Sequence, residues 1–335
     1  MHPAVFLDEG YVMDEAALRA LANEYGFSEA ALCSADVFDE ERKAVLSQVQ
    51  LAERKQLRFE PLEDVPWIKS LAVLLWAYEA SEQPAEGEVF VDSYYFASNA
   101  AYHAAKKLEV ELATAGVRAK ANVSYPARKA ALRAGLGVIG RNSMLITPEY
   151  GSRVVIILMA IDIEAPSRIE DGSKCFSEQC FACGRCVEAC PGGALTKEGL
   201  THPEKCLRNY MLEGMVVPEE YRRKMGMSLV GCDVCQRICP MQPKNGFKQK
   251  KEAFFLCEFL SADAAVFSQA AARLAGYIGK NTARPQRIRA QAALLAGNSG
   301  NPVYLPVLKN WAESDFPAVR EHAIWAIGRI EHSLK

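Results

Sequence analysis

Cys180-Phe-Ala-Cys183-Gly-Arg-Cys186-Val-Glu-Ala-Cys190-Pro191 is the stretch on which the organisation of this chain depends. Its spacing is C-x2-C-x2-C-x3-C-P, in which three thiolates bind one [4Fe–4S] cluster and the fourth reaches a second cluster. A second run reads Cys232-Asp-Val-Cys235-Gln-Arg-Ile-Cys239-Pro240, and Cys206 lies between the two. Two sets of four cysteines predict two [4Fe–4S] clusters.

The crossed pattern of such runs divides the ligands. The first predicted set is Cys180, Cys183, Cys186 and Cys239, and the second is Cys190, Cys206, Cys232 and Cys235. Zinc is the alternative because it also binds C-x2-C pairs, but a zinc site usually ends at four ligands and needs no interleaved C-x3-C-P ends. Of the other cysteines, Cys33 and Cys257 are expected to be buried apolar residues, and Cys175 is left as a spare thiol near the first run.

Length and composition limit the class of protein. The 335 residues are enough for two domains or three, and the net charge of −2 gives no global indication of nucleic-acid binding. The sequence holds no apolar run of membrane-spanning length and no secretory signal, so we expect a cytoplasmic protein without a membrane partner. Eleven cysteines in a reducing compartment favour metal ligation over disulfides.

The hydrophobic pattern predicts the elements of a mixed fold. Residues 14–26 have the period of an amphipathic helix ending at Gly26, and a second helix is expected from about Asn99 to Ala115. The apolar runs 71–77 and 152–163 predict buried strands. We therefore expect an α/β or α+β domain over residues 1–168 and a ferredoxin-like double-cluster module over 169–250.

The C-terminal part, residues 251–335, contains a helical repeat. Residues 289–297 (RAQAALLAG) match residues 320–328 (REHAIWAIG) at an offset of 31 residues. Helical units recurring near this spacing are typical of HEAT-like solenoids. Because two units are too few to stand alone, they are expected to pack on the cluster module.

Glycines are concentrated in Gly135-Leu-Gly137-Val-Ile-Gly140-Arg141-Asn142-Ser143. The segment matches G-x-G-x-x-G, but a dinucleotide site needs that motif between a strand and a helix. Here a predicted helix precedes it and a strand-like run follows. The pattern favours backbone packed closely against a large flat group over a nicotinamide site.

Taken together, residues 133–152, the two cysteine runs and Gly231-Cys-Asp-Val-Cys-Gln236 resemble the epoxyqueuosine reductase family. That family comprises cobalamin- and double-[4Fe–4S]-dependent, tRNA-modifying oxidoreductases related to the reductive dehalogenases. The resemblance runs from about residue 25 to the C-terminus. The cysteine pattern alone is shared with many ferredoxin-like proteins, and the glycine segment makes the resemblance specific.

The resemblance implies two [4Fe–4S] clusters and cobalamin as cofactors. It places the following residues against the corrin: Gly140, Arg141, Asn142, Ser143, Leu145, Val230 and Gly231. It also implies tRNA as a partner and an electron donor such as ferredoxin or flavodoxin. Residues offered to tRNA phosphates are Arg284, Arg287, Arg289, Lys309, Arg320, Arg329 and the basic run Lys244–Lys251.

Three polar positions of the family differ here. The family's catalytic Asp aligns with Ala121, the arginine of its Ser-Arg-Tyr-Ala segment with Tyr95, and the acid of its Asp-Tyr-His segment with Ala101. A phenol, hydroxyl or imidazole could act as proton donor instead. The candidates are Tyr94, Tyr95, His103, Ser124 and Tyr125.

These departures leave alternatives open. The chain is expected to be an iron–sulfur, cobalamin-dependent reductase of this type. A paralogue acting on another substrate, and a non-enzymatic [4Fe–4S] protein passing electrons to a corrinoid partner, are the alternatives.

Overall fold

The computed structural model describes residues 13–46, 58–167, 178–199, 201–242 and 252–334. By packing, the chain forms two compact units. The first contains Met1–Ala77, Ala100–Gly140 and Met144–Ser177, and the second contains Tyr78–Asn99, Arg141–Ser143 and Glu178–Lys335. The cysteine runs and the C-terminal helices therefore belong to one unit. The domain boundaries at 168 and 250 remain predictions.

The elements of the chain before the cysteine runs are these, in order. They are α1 Glu15–Glu24, β1 Glu29–Ser34, α2 Asp39–Leu46, α3 Pro61–Asp64, β2 Ser70–Ala77, β3 Phe90–Val91, α4 Ser93–Thr114, β4 Ala119–Ala121, α5 Ala127–Arg133, β5 Val138–Ile139, β6 Leu145–Ile146 and β7 Val154–Ile161.

From the first cysteine run onward the described residues are mostly helical. The elements are α6 Glu178–Cys183, α7 Arg185–Ala189, α8 Leu207–Glu213, α9 Glu219–Arg222, β8 Ser228–Val230, α10 Val234–Arg237, α11 Leu256–Phe259, α12 Ala264–Ile278, α13 Pro285–Ser299, α14 Leu305–Trp311 and α15 Pro317–Ser333, with 3-10 turns at Pro203–Lys205, Arg223–Met225 and Pro302–Tyr304.

The first unit is built on a four-stranded sheet of order β1-β2-β7-β4, in which every pair is antiparallel. The two predicted apolar strands are confirmed as β2 and β7, side by side in its middle. Leu71 and Val73 of β2 join a core with α5, while Ala72 and Leu74 on the opposite face are equally buried. Since side chains alternate along a strand, burial of both faces requires the continuous apolar run.

Local chemistry sets the ends of the first helix. The Asp14 carboxylate accepts a hydrogen bond from the Ala17 N–H at 2.9 Å, which satisfies a free donor of the first turn. Gly26 follows the helix in a left-handed conformation, with φ of 91°. The helix predicted over residues 14–26 is confirmed.

Helix α4 begins earlier than the sequence suggested. It starts at Ser93, so Tyr94, Tyr95 and Phe96 lie in its first turns and do not precede it. The Asp92 carboxylate accepts a hydrogen bond from the Tyr94 N–H at 3.0 Å and stabilises this start. The sequence did not indicate this start of α4, because aromatic residues also favour strands.

The glycine segment forms a hairpin in which β5 pairs with β6. At Gly137 an added Cβ would lie 2.3 Å from the Ile146 carbonyl oxygen, so only glycine allows this approach of two backbones. Helix α5 precedes the hairpin, which is the order that argued against a dinucleotide site.

A large hydrophobic core in the second unit joins the cysteine-bearing part to the C-terminal helices. Leu229 of β8, Leu274 of α12, Leu294 of α13 and Ala323 of α15 all belong to it. The C-terminal helices therefore pack against residues that adjoin the second cysteine run. The two repeat segments lie on α13 and α15, although the HEAT-like assignment itself stays a prediction.

The two cysteines outside the runs differ in burial. Cys33 lies buried in β1 as expected, but Cys257 is exposed, so that expectation was wrong. The short helix α11 buries Leu256 and Phe259 on one face, which turns Cys257 toward solvent. Cys175 and Lys244–Lys251 lie outside the described residues. No helix in the described ranges combines the length and apolarity needed to span a membrane.

Candidate metal centre and neighbouring site

Two short helices carry the first cysteine run. Cys180 and Cys183 lie on α6, and Cys186 lies on α7. Gly184 between them has φ of 78°, a left-handed conformation that turns the chain sharply between the second and third cysteine. The spacing of two residues therefore wraps one loop around three thiols.

The end of the first run folds onto the segment that carries Cys206. An added Cβ at Gly192 would lie 1.9 Å from the Lys205 carbonyl oxygen, so the backbone after Cys190 directly contacts the backbone before Cys206. The Cys190 sulfur also accepts a hydrogen bond from the Ala194 N–H at 3.2 Å. Donors of this kind stabilise cluster thiolates.

Strand β8 leads into the second run. It is followed by Gly231, whose φ is 90°, and then by Cys232. Cys235 lies on the single turn of α10, and Cys239 follows it. The structure thus presents the second run on a strand-turn-helix segment.

The thiols of the two runs affect one another electrostatically. Burial raises the pKa of Cys186, and the charges of Cys180 and Cys239 add to the rise. Burial likewise raises the pKa of Cys235, with contributions from Cys232, Cys206 and Cys190, and a last one from Cys186. These effects cross between the two runs in the sense of the predicted sets, and Cys186 of the first set also acts on Cys235 of the second.

These observations fit two [4Fe–4S] clusters. All eight thiols of the two predicted sets are free of disulfides and only partly exposed. Thiols of both runs act on the pKa of Cys186 and of Cys235, and each predicted set has one sulfur that accepts a backbone N–H, Cys180 from Arg141 and Cys190 from Ala194. The assignment of individual cysteines to each cluster stays a prediction.

The loop Arg141–Ser143 contacts both cysteine runs and belongs to the same unit as they do. The Arg141 N–H donates to the Cys180 sulfur at 3.4 Å, and the Asn142 amide donates to the Cys235 carbonyl oxygen at 3.5 Å. The Ser143 hydroxyl is hydrogen-bonded to the hydroxyl of Thr201. Two of the predicted corrin-contacting residues, Arg141 and Asn142, are thereby hydrogen-bonded to predicted cluster ligands.

The remaining predicted corrin contacts are divided between the units. Gly140 and Leu145 belong to the first unit, in the β5–β6 hairpin, where the Gly140 N–H donates to the Met144 carbonyl oxygen at 2.9 Å. Val230 and Gly231 belong to the second unit. The Val230 carbonyl oxygen accepts from the Asp92 N–H at 2.9 Å, which anchors β8 to the start of α4.

Tyr94 and Tyr95 are the proton-donor candidates in the second unit. The Tyr95 hydroxyl, which is buried, accepts a hydrogen bond from Arg208 Nε at 2.9 Å, and burial raises the pKa of Tyr95. The half-buried ring of Tyr94 lies edge-on to Tyr78 and Tyr95. The family that the sequence resembles has an arginine at position 95. Here a guanidinium lies beside Tyr95, but it belongs to Arg208 of α8. The sequence contained no signal for Arg208.

The candidates in the first unit lie in different environments. His103 is exposed on α4 with its ring edge-on to Tyr102. Tyr125 is buried and stacks on Phe38, and burial together with Asp64 raises its pKa to about 12. Ser124 contributes its carbonyl oxygen to the Arg58 N–H.

Position 121 has a carboxylate beside it although its own side chain has none. Ala121 is buried in β4, and its N–H donates to the Glu109 carboxylate at 3.2 Å. Glu109 lies on α4 and also pairs with Lys106 at 2.7 Å. Sequence alignment could not find this acid because it is twelve residues away on another element.

Comparison with known proteins supports the prediction of two [4Fe–4S] clusters. The family model of the 4Fe-4S double cluster binding domain matches residues 179–242. Epoxyqueuosine reductase of Lactococcus garvieae is 27% identical over 94% of this chain and 95% of its own length. That of Gloeobacter violaceus is 30% identical over 67% of this chain and 75% of its own.

A solved structure of epoxyqueuosine reductase with a modified tRNA-Tyr stem loop shares the fold. The TM-score is 0.76 over 94% of this chain and 89% of that one, at 24% identity. The double-cluster model confirms the predicted iron–sulfur cofactors, and the relatives support the cobalamin expectation. The chain is an iron–sulfur oxidoreductase, and it belongs to the epoxyqueuosine reductase family.

Proposed function

We propose that this protein reduces epoxyqueuosine in tRNA with two [4Fe–4S] clusters and cobalamin. The observation that carries the proposal is the loop Arg141–Ser143, which contacts Cys180 of one run and Cys235 of the other. The segment most specific to the family is therefore attached to both sets of cluster ligands. When bound, the clusters supply single electrons and cobalamin supplies a strongly reducing cobalt centre.

The residues of the chain would hold and orient these groups. Cys180, Cys183, Cys186 and Cys239 would bind one cluster, and Cys190, Cys206, Cys232 and Cys235 the other. The sequence-predicted corrin contacts are Gly140, Arg141, Asn142, Ser143, Leu145, Val230 and Gly231. The backbone N–H groups of Arg141 and Ala194 stabilise thiolate charge, because they donate to Cys180 and Cys190.

A proton donor is required beside the reducing group. Glu109 is the candidate from the structure, and the candidates from the sequence are Tyr94, Tyr95, His103, Ser124 and Tyr125. Glu109 is supported by its hydrogen bond to Ala121, the position that aligns with the family's acid. Burial raises the pKa of Tyr95, which makes that phenol a weaker proton donor.

We propose that tRNA is the macromolecular partner, because a solved relative contains a tRNA stem loop. Of the basic residues offered to its phosphates, Arg284 is exposed at the start of α13. Others already have contacts within the protein: Arg289 stacks on Phe267, and Arg320 donates to the Ser314 carbonyl oxygen. The C-terminal helices would present this surface. A ferredoxin or flavodoxin would supply electrons.

Complementation tests the proposal. The gene is expressed in a strain that lacks epoxyqueuosine reductase, and queuosine in tRNA is measured by mass spectrometry. We expect queuosine to return with the wild-type protein and to be absent with Cys183→Ser. The purified protein is also tested for both clusters, and its visible spectrum is recorded to detect bound cobalamin. If queuosine stays absent while both clusters and cobalamin are bound, the protein reduces another substrate.

A further inference from the structure

Two oppositely charged side chains approach the same set of cysteines from different segments. Asp92 precedes α4 and is 4% exposed. An added Cβ at Gly231 would lie 2.5 Å from Asp92 Cβ and 3.1 Å from its carboxylate oxygen, so Asp92 directly contacts the residue before Cys232. Arg208 lies on α8, two residues after Cys206.

Tyr95 holds the two together. Its hydroxyl accepts a hydrogen bond from Arg208 Nε at 2.9 Å, and its ring carbon would lie 2.8 Å from a Cβ at Gly231. The Arg208 guanidinium also lies 5.3 Å and 5.5 Å from the ring centres of Tyr94 and Tyr95. The arginine is therefore fixed beside the loop that presents Cys232.

Asp92 and Arg208 are thus linked to two ligand-bearing segments of the second set. Asp92 contacts Gly231, which precedes Cys232, and Tyr95 contacts both Gly231 and Arg208, which follows Cys206 by two residues. One negative and one positive side chain therefore lie beside the backbone that presents these ligands.

We propose that Asp92 and Arg208 set the reduction potential of the cluster held by Cys190, Cys206, Cys232 and Cys235, in opposite directions. Reduction adds one electron, and hence one negative charge, to a cluster without making or breaking a bond. A nearby cation favours that state and a nearby carboxylate opposes it. Arginine suits this role because its charge is permanent.

The proposal rests on the two-cluster assignment but not on cobalamin or tRNA. Burial strengthens the effect of Asp92, since charges in a weakly polar interior are poorly screened. The second cluster therefore responds to these two residues, whereas the first cluster, which draws on Cys180, Cys183, Cys186 and Cys239, responds much less.

Potentiometric titration with dithionite, followed by electron paramagnetic resonance, tests the proposal. The reconstituted full chain is compared with Arg208→Gln, Arg208→Lys and Asp92→Asn. Arg289→Gln is the matched control, because it removes the same charge and a similar stacking contact, that with Phe267 at 4.3 Å. Cys183→Ser identifies the signal of the first cluster.

We expect Arg208→Gln to shift the midpoint potential of the second cluster to a more negative value and Asp92→Asn to shift it to a more positive one. Arg208→Lys stays near the wild-type value, and Arg289→Gln changes neither cluster. Equal shifts in both clusters, shifts of the same sign in Arg208→Gln and Asp92→Asn, or no shift with full iron content would overturn the proposal.

Loss of the second cluster from Arg208→Gln would be recognised by iron and sulfide content. Asp92→Asn then decides: a positive shift supports the proposal, and any other result rejects it. Because neither measurement needs substrate, failure here is distinguishable from failure of the complementation experiment.

Discussion

The imidazole of His322 accepts a hydrogen bond from the Val217 N–H at its Nε2, over 2.9 Å. Its Nδ1 lies 2.8 Å from the Ala290 carbonyl oxygen and must donate, because a carbonyl oxygen only accepts. The buried ring is thus neutral with its proton on Nδ1. It joins α15 to α13 and to the segment between α8 and α9.

Acidification should weaken this link. Burial lowers the pKa of His322 to about 4, against 6.5 for an unperturbed histidine. Between pH of about 6.5 and about 4, the unfolded chain therefore binds a proton at His322 that the folded chain does not bind. The free energy of unfolding falls as the pH drops through this range. The loss reaches roughly 3 kcal/mol at the lower limit. Unfolding by urea at pH 7.5 and pH 5 measures it.

Comparison of two variants separates His322 from the other titrating groups. His322→Gln should be less stable than wild type at pH 7.5 by about 1–3 kcal/mol and should lose less stability at pH 5. His332→Gln, at an exposed position of the same helix, should behave like wild type. An unchanged pH dependence in His322→Gln would contradict the prediction.

Gly192→Ala should remove the second cluster. The added methyl would lie 1.9 Å from the Lys205 carbonyl oxygen and must push the Cys190 loop away from Cys206. We expect roughly half of the bound iron to be lost, one cubane of two. Iron and sulfide analysis of the purified protein checks this.

Gly193→Ala is the matched control for that change. Gly193 has φ of 66° but open space at the Cβ position, so alanine there costs about 1 kcal/mol in backbone strain without a collision. It should keep full iron. Equal iron content in the two variants would show that the contact with Lys205 does not position the ligands.

Gly297→Ala should destabilise the second unit by about 1–3 kcal/mol through overpacking. Its methyl would lie 2.6 Å from the Trp325 ring and 2.9 Å from Ala326 Cα. Gly328→Ala, at the corresponding position of the other repeat segment, meets nothing within 4 Å and should stabilise α15 by roughly 0.5–1 kcal/mol. Opposite shifts in the unfolding midpoint are expected, and shifts of one sign would refute the packing argument.

Glu109→Gln should slow queuosine formation by about 10²-fold if Glu109 supplies the proton. The amide keeps the shape of the side chain and can still accept the Ala121 N–H, but it cannot transfer a proton. Glu111→Gln, on the same helix and bonded to the Tyr25 hydroxyl at 3.1 Å, is the control. Rates are measured with reconstituted protein and modified tRNA. Equal rates for Glu109→Gln and wild type would return the role to Tyr94 or Tyr95.

Much of the first unit could be predicted because its signals are local. The strand Ser70–Ala77 follows from one apolar run, and α1 follows from the Asp14 cap and the left-handed Gly26. The start of α4 could not be predicted, because Asp92 caps a run of aromatic residues that favours a strand equally well. Cys257 is exposed because α11 packs Leu256 and Phe259 against the core, and the sequence did not indicate which face of this helix would be buried.

The candidate site likewise combines features that the sequence predicts with contacts that only the tertiary structure provides. Cysteine spacing alone determined the cluster type, since two or three residues between thiols already bring them around one cubane. Neighbours from distant segments came only from tertiary structure: Arg208 reaches Tyr95 across 113 residues, and Glu109 reaches Ala121 from another element. Ligand chemistry is encoded in short-range spacing, whereas the charges that tune it are brought together only when the elements pack.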